Sequence, residues 1–175
     1  VTLCSGTRRS INKEENMRDV SVTERPEVLY FEDHIPGSVY TFGSILVDEK
    51  AIVDFASQYD PQIFHTDPDA AKKSSFGGIV ASGWHTAALA MRLLVDHRLS
   101  HVANLGSPGL DELRFLKPVR PGDELRVRLT ILEVRPSESK ADRGVVKSFV
   151  EVLNQSGEVV ASWKGINIVQ RKNTG

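Results

Sequence analysis

Residues 55–85 read FASQYDPQIFHTDPDAAKKSSFGGIVASGWH, and the rest of the chain is arranged around them. Tyr59-Asp60-Pro61 ends a helix that Asp48 can cap, because a residue before proline disfavours the α region. Asp67-Pro68 opens a second helix, with aspartate as N-cap and proline at the first helical position. Phe76-Gly77-Gly78 closes it. Ser82 then precedes a third and longer helix, Gly83–His97, in which Ala87, Ala88, Met91, Leu94 and Val95 recur at helical spacing. This pattern predicts a buried central helix.

Strands flank that helical block. Residues 28–30 form a short strand, Ile35-Pro36-Gly37 turns the chain, and residues 40–47 read as a strand rich in aromatic and β-branched side chains. Downstream, residues 110–115, 124–134, 145–153 and 159–169 are all strand-like. Leu125, Val127, Leu129 and Ile131 alternate with Arg126, Arg128 and Thr130, the pattern of a half-buried strand. Pro121-Gly122 and Ser156-Gly157 mark the turns between. Long strands, short turns and one Ala-rich helix predict an α+β fold, an antiparallel sheet wrapped around a helix.

The chain of 175 residues fits one domain, and its 40% apolar content suffices for a core. Residues 1–27 are polar and aperiodic and are read as a flexible N-terminal arm. The domain is expected over residues 28–170, with residues 171–175 as a tail. Met17 opens a more ordinary beginning than Val1, which raises the reading that translation starts there. A net charge of -1 gives no support for nucleic-acid binding. Cys4 is the single cysteine, so an intrachain disulfide and a cysteine-based zinc site are excluded. With no apolar run of about 20 residues to span a bilayer, the expected location is the cytoplasm.

Asp60 and His65 carry the candidate chemistry. A histidine beside a carboxylate can move protons to and from a substrate or water. Asp60 equally suits a turn before Pro61, and His65 a packed position. Gly83 falls in the first turn of a helix, where free N–H groups and the dipole favour a developing oxyanion and a missing Cβ permits close approach; equally, Ser82 can be a plain helix cap and Gly83 a packing residue. The string His65-x-Asp67-x-Asp69 is a poor metal site, since Asp67 is needed as a cap and no second histidine stands at ligand spacing. Lys72, Lys73, Arg114, Lys117 and Arg120 could meet the phosphates of an anionic carrier, or be solvated surface charges.

Taken together, these residues resemble the MaoC-like hot-dog hydratases, the (R)-specific enoyl-CoA hydratase group. That family's motif runs Asp-x-Asn-Pro-x-His, then an aspartate-capped helix, a Phe-Gly turn and a small-residue–His–Gly step. Asp60 and His65 keep the spacing, and residues 66–71 match the start of the capped helix. Phe76-Gly77-Gly78, Ala81-Ser82-Gly83 and the later Phe115-x-x-Pro118-Val119-x-Pro121-Gly122-Asp123 fall at the family's positions. The chain departs at Tyr59 (usually small), Gln62 (usually Asn), Ile63 (usually Pro) and Ser82 (often His). The resemblance implies a single hot-dog fold and hydration of a 2-enoyl thioester, or the reverse dehydration. It implies Asp60 and His65 as the acid/base pair and Gly83 as oxyanion donor, with Ser82, Gln62 and Tyr59 on the substrate side. The substrate would be an acyl-CoA or acyl-carrier-protein thioester, with no metal or cofactor, in a homodimer. A hot-dog thioesterase and a non-catalytic acyl-binding or partner subunit are the alternatives.

Overall fold

Alternating burial along two long strands, with a continuous buried run at the start of a third, builds the core. The computed structural model describes residues 28–172. Five strands form one sheet: β1 (Val39–Leu46), β2 (Asn104–Phe115), β3 (Glu124–Pro136), β4 (Arg143–Leu153) and β5 (Val159–Gln170). Their order is β1-β3-β4-β5-β2, and every neighbouring pair is antiparallel. Leu125, Val127, Leu129 and Ile131 of β3 are buried, as are Val146, Val150 and Val152 of β4 and Val160, Trp163 and Val169 of β5. Each such side chain contributes roughly 1.5–3 kcal/mol on leaving water.

The inter-strand segment between β1 and β2 carries four helices: α1 (Glu49–Tyr59), α2 (Ile63–Thr66), α3 (Pro68–Lys73) and α4 (Gly83–His97). The sheet curls over α4 and buries Thr86, Ala90, Leu93 and Leu94. This is the expected hot-dog arrangement. No described helix is long and apolar enough to cross a membrane.

Three local expectations need correction. α4 is buried along one stripe only, because a single sheet covers a single helix face; Met91 and Val95 are each 42% exposed, and Trp84 is 61% exposed. His65 lies on a short helix of its own, α2, between the helix that ends before Pro61 and the one that opens at Asp67-Pro68, where the sequence showed none. The strand expected at residues 110–115 starts at Asn104, carried through Gly106 and Gly109 by register shifts. The predicted N-terminal arm and the Met17 start lie outside the described residues.

Gly43 explains how closely β1 approaches α4. It sits at the register shift between Phe42 and Ile45 with φ +75°, a left-handed conformation that side chains resist. A Cβ there would stand 2.7 Å from Leu93 Cδ2 and 3.1 Å from His97 Cδ2. Gly37 has a similar φ of +85° but nothing within 4 Å. Gly37→Ala should therefore cost about 1 kcal/mol of strain. Gly43→Ala adds overpacking, for a total of about 2–4 kcal/mol. Guanidinium unfolding of the two variants checks the order; equal losses would mean that contact with α4 adds nothing.

Candidate active site

Local chain breaks bring the chemical groups together. α1 ends at Asp60, whose N–H donates to Ala56 O at 2.8 Å. Pro61 cannot continue a helix, and Gln62 N–H instead closes a tight turn onto Asp60 O at 2.7 Å. Gln62 caps α2, and one turn later His65 points inward, 6% exposed. Asp67 accepts from the N–H groups of Asp69 and Ala70, and so starts α3 as its sequence requires.

His65 is fixed from both sides. Its Nδ1 lies 2.6 Å from Val80 O. A carbonyl only accepts, so Nδ1 carries the proton and, in the neutral ring, Nε2 presents a lone pair. Nε2 lies 3.5 Å from Asp60 Oδ2, longer than a direct hydrogen bond. Two acceptors at this separation can both receive hydrogens from one water placed to the side of the pair, in the cavity.

Asp60 holds its charge. Ser82 Oγ donates to Oδ2 at 2.7 Å and Gln62 Nε2 donates to Oδ1 at 2.8 Å. These donors, with a smaller contribution from His65, hold the carboxyl below its ordinary value of 3.8 against a modest burial effect.

Asp60, His65 and Gly83 all face one cavity of about 470 Å³. Gly83 is the first residue of α4, so its N–H has no intrahelical acceptor. Phe115 packs directly on it: a Cβ at Gly83 would stand 2.4 Å from Phe115 Cε2. Gln62 also lines the cavity. Tyr59 is 66% exposed and lies outside the lining, with its ring against Phe55 at 5.1 Å. Ser82 is fully buried and meets Asp60 from behind the cavity wall.

The basic residues are largely committed elsewhere. Lys117 lines the cavity but pairs with Glu158, Lys72 pairs with Asp69, and Arg120 donates to Phe76 O at 2.6 Å. Among the described residues no three His, Cys, Asp or Glu side chains are grouped to hold a metal.

Residues 31–152 match the family described as the MaoC like domain. The chain belongs to this MaoC-like dehydratase family. A MaoC-like dehydratase from Rhodospirillum rubrum of known crystal structure is 42% identical, with a TM-score of 0.74 over 82% of this chain and 98% of that one. The uncharacterized protein YdeM of Bacillus subtilis is 30% identical over 119 residues, 68% of this chain and 83% of YdeM. Mesaconyl-CoA hydratase of Cereibacter sphaeroides is 40% identical over 79 residues, which are 45% of this chain but only 22% of that enzyme.

This MaoC-like domain also uses residues to which the sequence reading gave no role in the site. Phe64, Phe76, Phe115 and Val160 make the cavity apolar. Phe64 and Phe76 pack at 5.1 Å, and Phe115 meets Trp84 edge-on at 6.1 Å. Phe115 was visible as part of a strand-turn signature, but its place on Gly83 depends on how β2 crosses the start of α4. Val80 also lines the cavity, and it fixes His65 through its carbonyl, for which no side-chain signal exists.

Proposed function

We propose that this protein hydrates a 2-enoyl thioester, most simply an acyl-CoA, to the (3R)-hydroxyacyl thioester, or runs the reverse dehydration. The observation that carries the reading is the pairing of Asp60 Oδ2 with His65 Nε2 at 3.5 Å, the ring nitrogen not engaged by Val80 O, at the same cavity as Gly83. A thioester hydrolase needs a nucleophile or water aimed at the carbonyl carbon. Here a carboxylate and a histidine stand side by side to hold one water, at a cavity that Gly83 also lines, which suits addition of that water to the conjugated double bond.

In this mechanism a water sits on the cavity side of the two groups, within hydrogen-bond reach of both. Its oxygen attacks C3 while His65 Nε2 takes one of its protons and Asp60 accepts a hydrogen bond from the other. Electron density moves onto the thioester oxygen, where the Gly83 N–H donates. A carboxyl held below its usual range is a poor proton donor near neutral pH, so the proton that completes C2 comes back from His65. The balance is one water added, with the C–S bond untouched. No cofactor takes part in it.

The proposed setting is a cytoplasmic homodimer. Among the described residues β2 is an edge strand, exposed on both faces, with Leu105 and Leu110 each 44% exposed. Such an edge, together with Trp84, Met91 and Val95 on α4, is apolar surface that a second copy can cover. Sedimentation should show a dimer at micromolar protein, and Leu110→Lys should shift it to monomer. A wild-type chain that sediments as a monomer at these concentrations contradicts the assembly.

The reaction is tested with a panel of enoyl-CoA substrates. Loss of enoyl absorbance without thiol release supports hydration, whereas thiol captured by a chromogenic disulfide supports a thioesterase. Binding of acyl-CoA without either signal supports a non-catalytic subunit.

A further inference from the structure

Each oxygen of Asp60 has its own donor, and the two donors differ in setting. Gln62 reaches Oδ1 from an exposed side chain. Ser82 reaches Oδ2 from a position with 0% exposure. Oδ2 is also the oxygen that faces His65 Nε2. The Ser82 hydroxyl has one hydrogen to give, and it goes to Asp60. Its lone pairs accept the Trp84 N–H at 3.2 Å, while Ser82 O accepts the Thr86 N–H at 3.0 Å. Ser82 thus belongs to the cap of α4 and, 22 residues away in sequence, to the carboxylate at the end of α1. The next residue along the chain is Gly83.

We propose that Ser82 is a positioning residue: its buried hydroxyl ties Asp60 Oδ2 to the first turn of α4, so that the carboxylate, His65 Nε2 and the Gly83 N–H keep one fixed spacing. A hydrogen bond to a charged, half-buried acceptor is stronger than one between neutral groups, and water cannot replace this one without entering a fully buried position. The arrangement joins the water-holding half of the site to the oxyanion half through a single side chain. The kinetic part of this inference rests on the hydratase reading; the Ser82–Asp60 contact does not.

Removal of the hydroxyl also moves the titration of Asp60. His65 is the ionisable group facing it, and Gln62 is the remaining donor. Lys117 lines the same cavity but is paired with Glu158. Without Ser82 the carboxylate loses the larger of its two stabilising contacts and takes up a proton at higher pH.

The test compares Ser82→Ala and Ser82→Cys with the full wild-type chain. Two readouts are used: crotonyl-CoA kinetics across pH and the ¹³C titration of the Asp60 carboxyl. Ser82→Ala should lower kcat by roughly 10–100-fold with little change in KM, the scale of one lost hydrogen bond to a charged group. The Asp60 titration should move up in pH. Ser82→Cys, with a weaker donor of similar size, should fall between, and it carries the comparison if the alanine variant does not fold. Unchanged kcat and an unmoved Asp60 titration in a folded variant would reduce Ser82 to a helix cap and overturn the proposal. If wild type hydrates no enoyl thioester, the hydratase reading fails, while the carboxyl titration still decides whether Ser82 controls Asp60.

Discussion

His65→Gln should lower kcat for crotonyl-CoA hydration by roughly 10²–10⁴ with the fold intact, the range of a lost general acid/base group. Glutamine can still donate to Val80 O, so the local chain has little reason to move. It has no basic lone pair of comparable strength to offer a water beside Asp60. Asp60→Asn should fall into the same range for a different reason. The amide keeps the volume, but its nitrogen or its neutral oxygen now meets the water, and the donors from Ser82 and Gln62 no longer stabilise a charge. The pH signatures should differ as well. The folded-state pKa of Asp60 is depressed, so the stability it contributes is present above its unfolded value and is lost as pH falls through the folded one. Wild type and Asp60→Asn should therefore converge in stability only in strong acid, which urea titration at several pH values would show. Activity retained within a few-fold by either variant, with circular dichroism unchanged, would remove that residue from the mechanism.

Gly83→Ala should be comparably severe. Alanine is the better helix former, so helix propensity alone predicts a small gain in stability. Contact reverses this: the added methyl would lie 2.4, 2.5 and 2.7 Å from three atoms of the Phe115 ring. The ring must swing away, and as it lines the cavity it would move into or out of the substrate's place. A displaced oxyanion donor costs about 10²–10³ in kcat. Gly83→Ala combined with Phe115→Ala separates the causes. If crowding by the ring is responsible, the double variant should recover a good part of the lost rate. If the double variant is no better than Gly83→Ala, the methyl itself blocks the amide. A Gly83→Ala protein as active as wild type would exclude close substrate approach at this residue.

Much of this site was legible because its chemistry is local. Asp60, Pro61, Asp67 and Pro68 specify a helix stop, a tight turn and a helix start within nine positions, and the structure follows them while adding the short helix α2 between. The alternation in β3 likewise identifies its buried face from the residues alone. What the residues could not show was which groups meet across distance. Ser82 reads as a helix cap, which it is; that its hydrogen goes to Asp60 depends on α1 and α4 lying side by side. Tyr59 adjoins Asp60 in the chain yet faces away, because consecutive residues at the end of a helix point about 100° apart. The exposed side of α4 was hidden for a related reason. An Ala-rich apolar helix looks buried all round, whereas one sheet can cover only one stripe of it, and Met91 and Val95 remain outside.

The central claim is that water adds to carbon while the thioester survives, and labelled water tests it most directly. The purified protein is incubated with crotonyl-CoA in H₂¹⁸O and the products are separated and weighed by mass spectrometry. The account predicts 3-hydroxybutyryl-CoA with one heavy oxygen on C3 and coenzyme A still attached, formed by wild type and not by His65→Gln. Heavy oxygen appearing in a free carboxylate with release of coenzyme A, or no incorporation from any enoyl thioester offered, would contradict it.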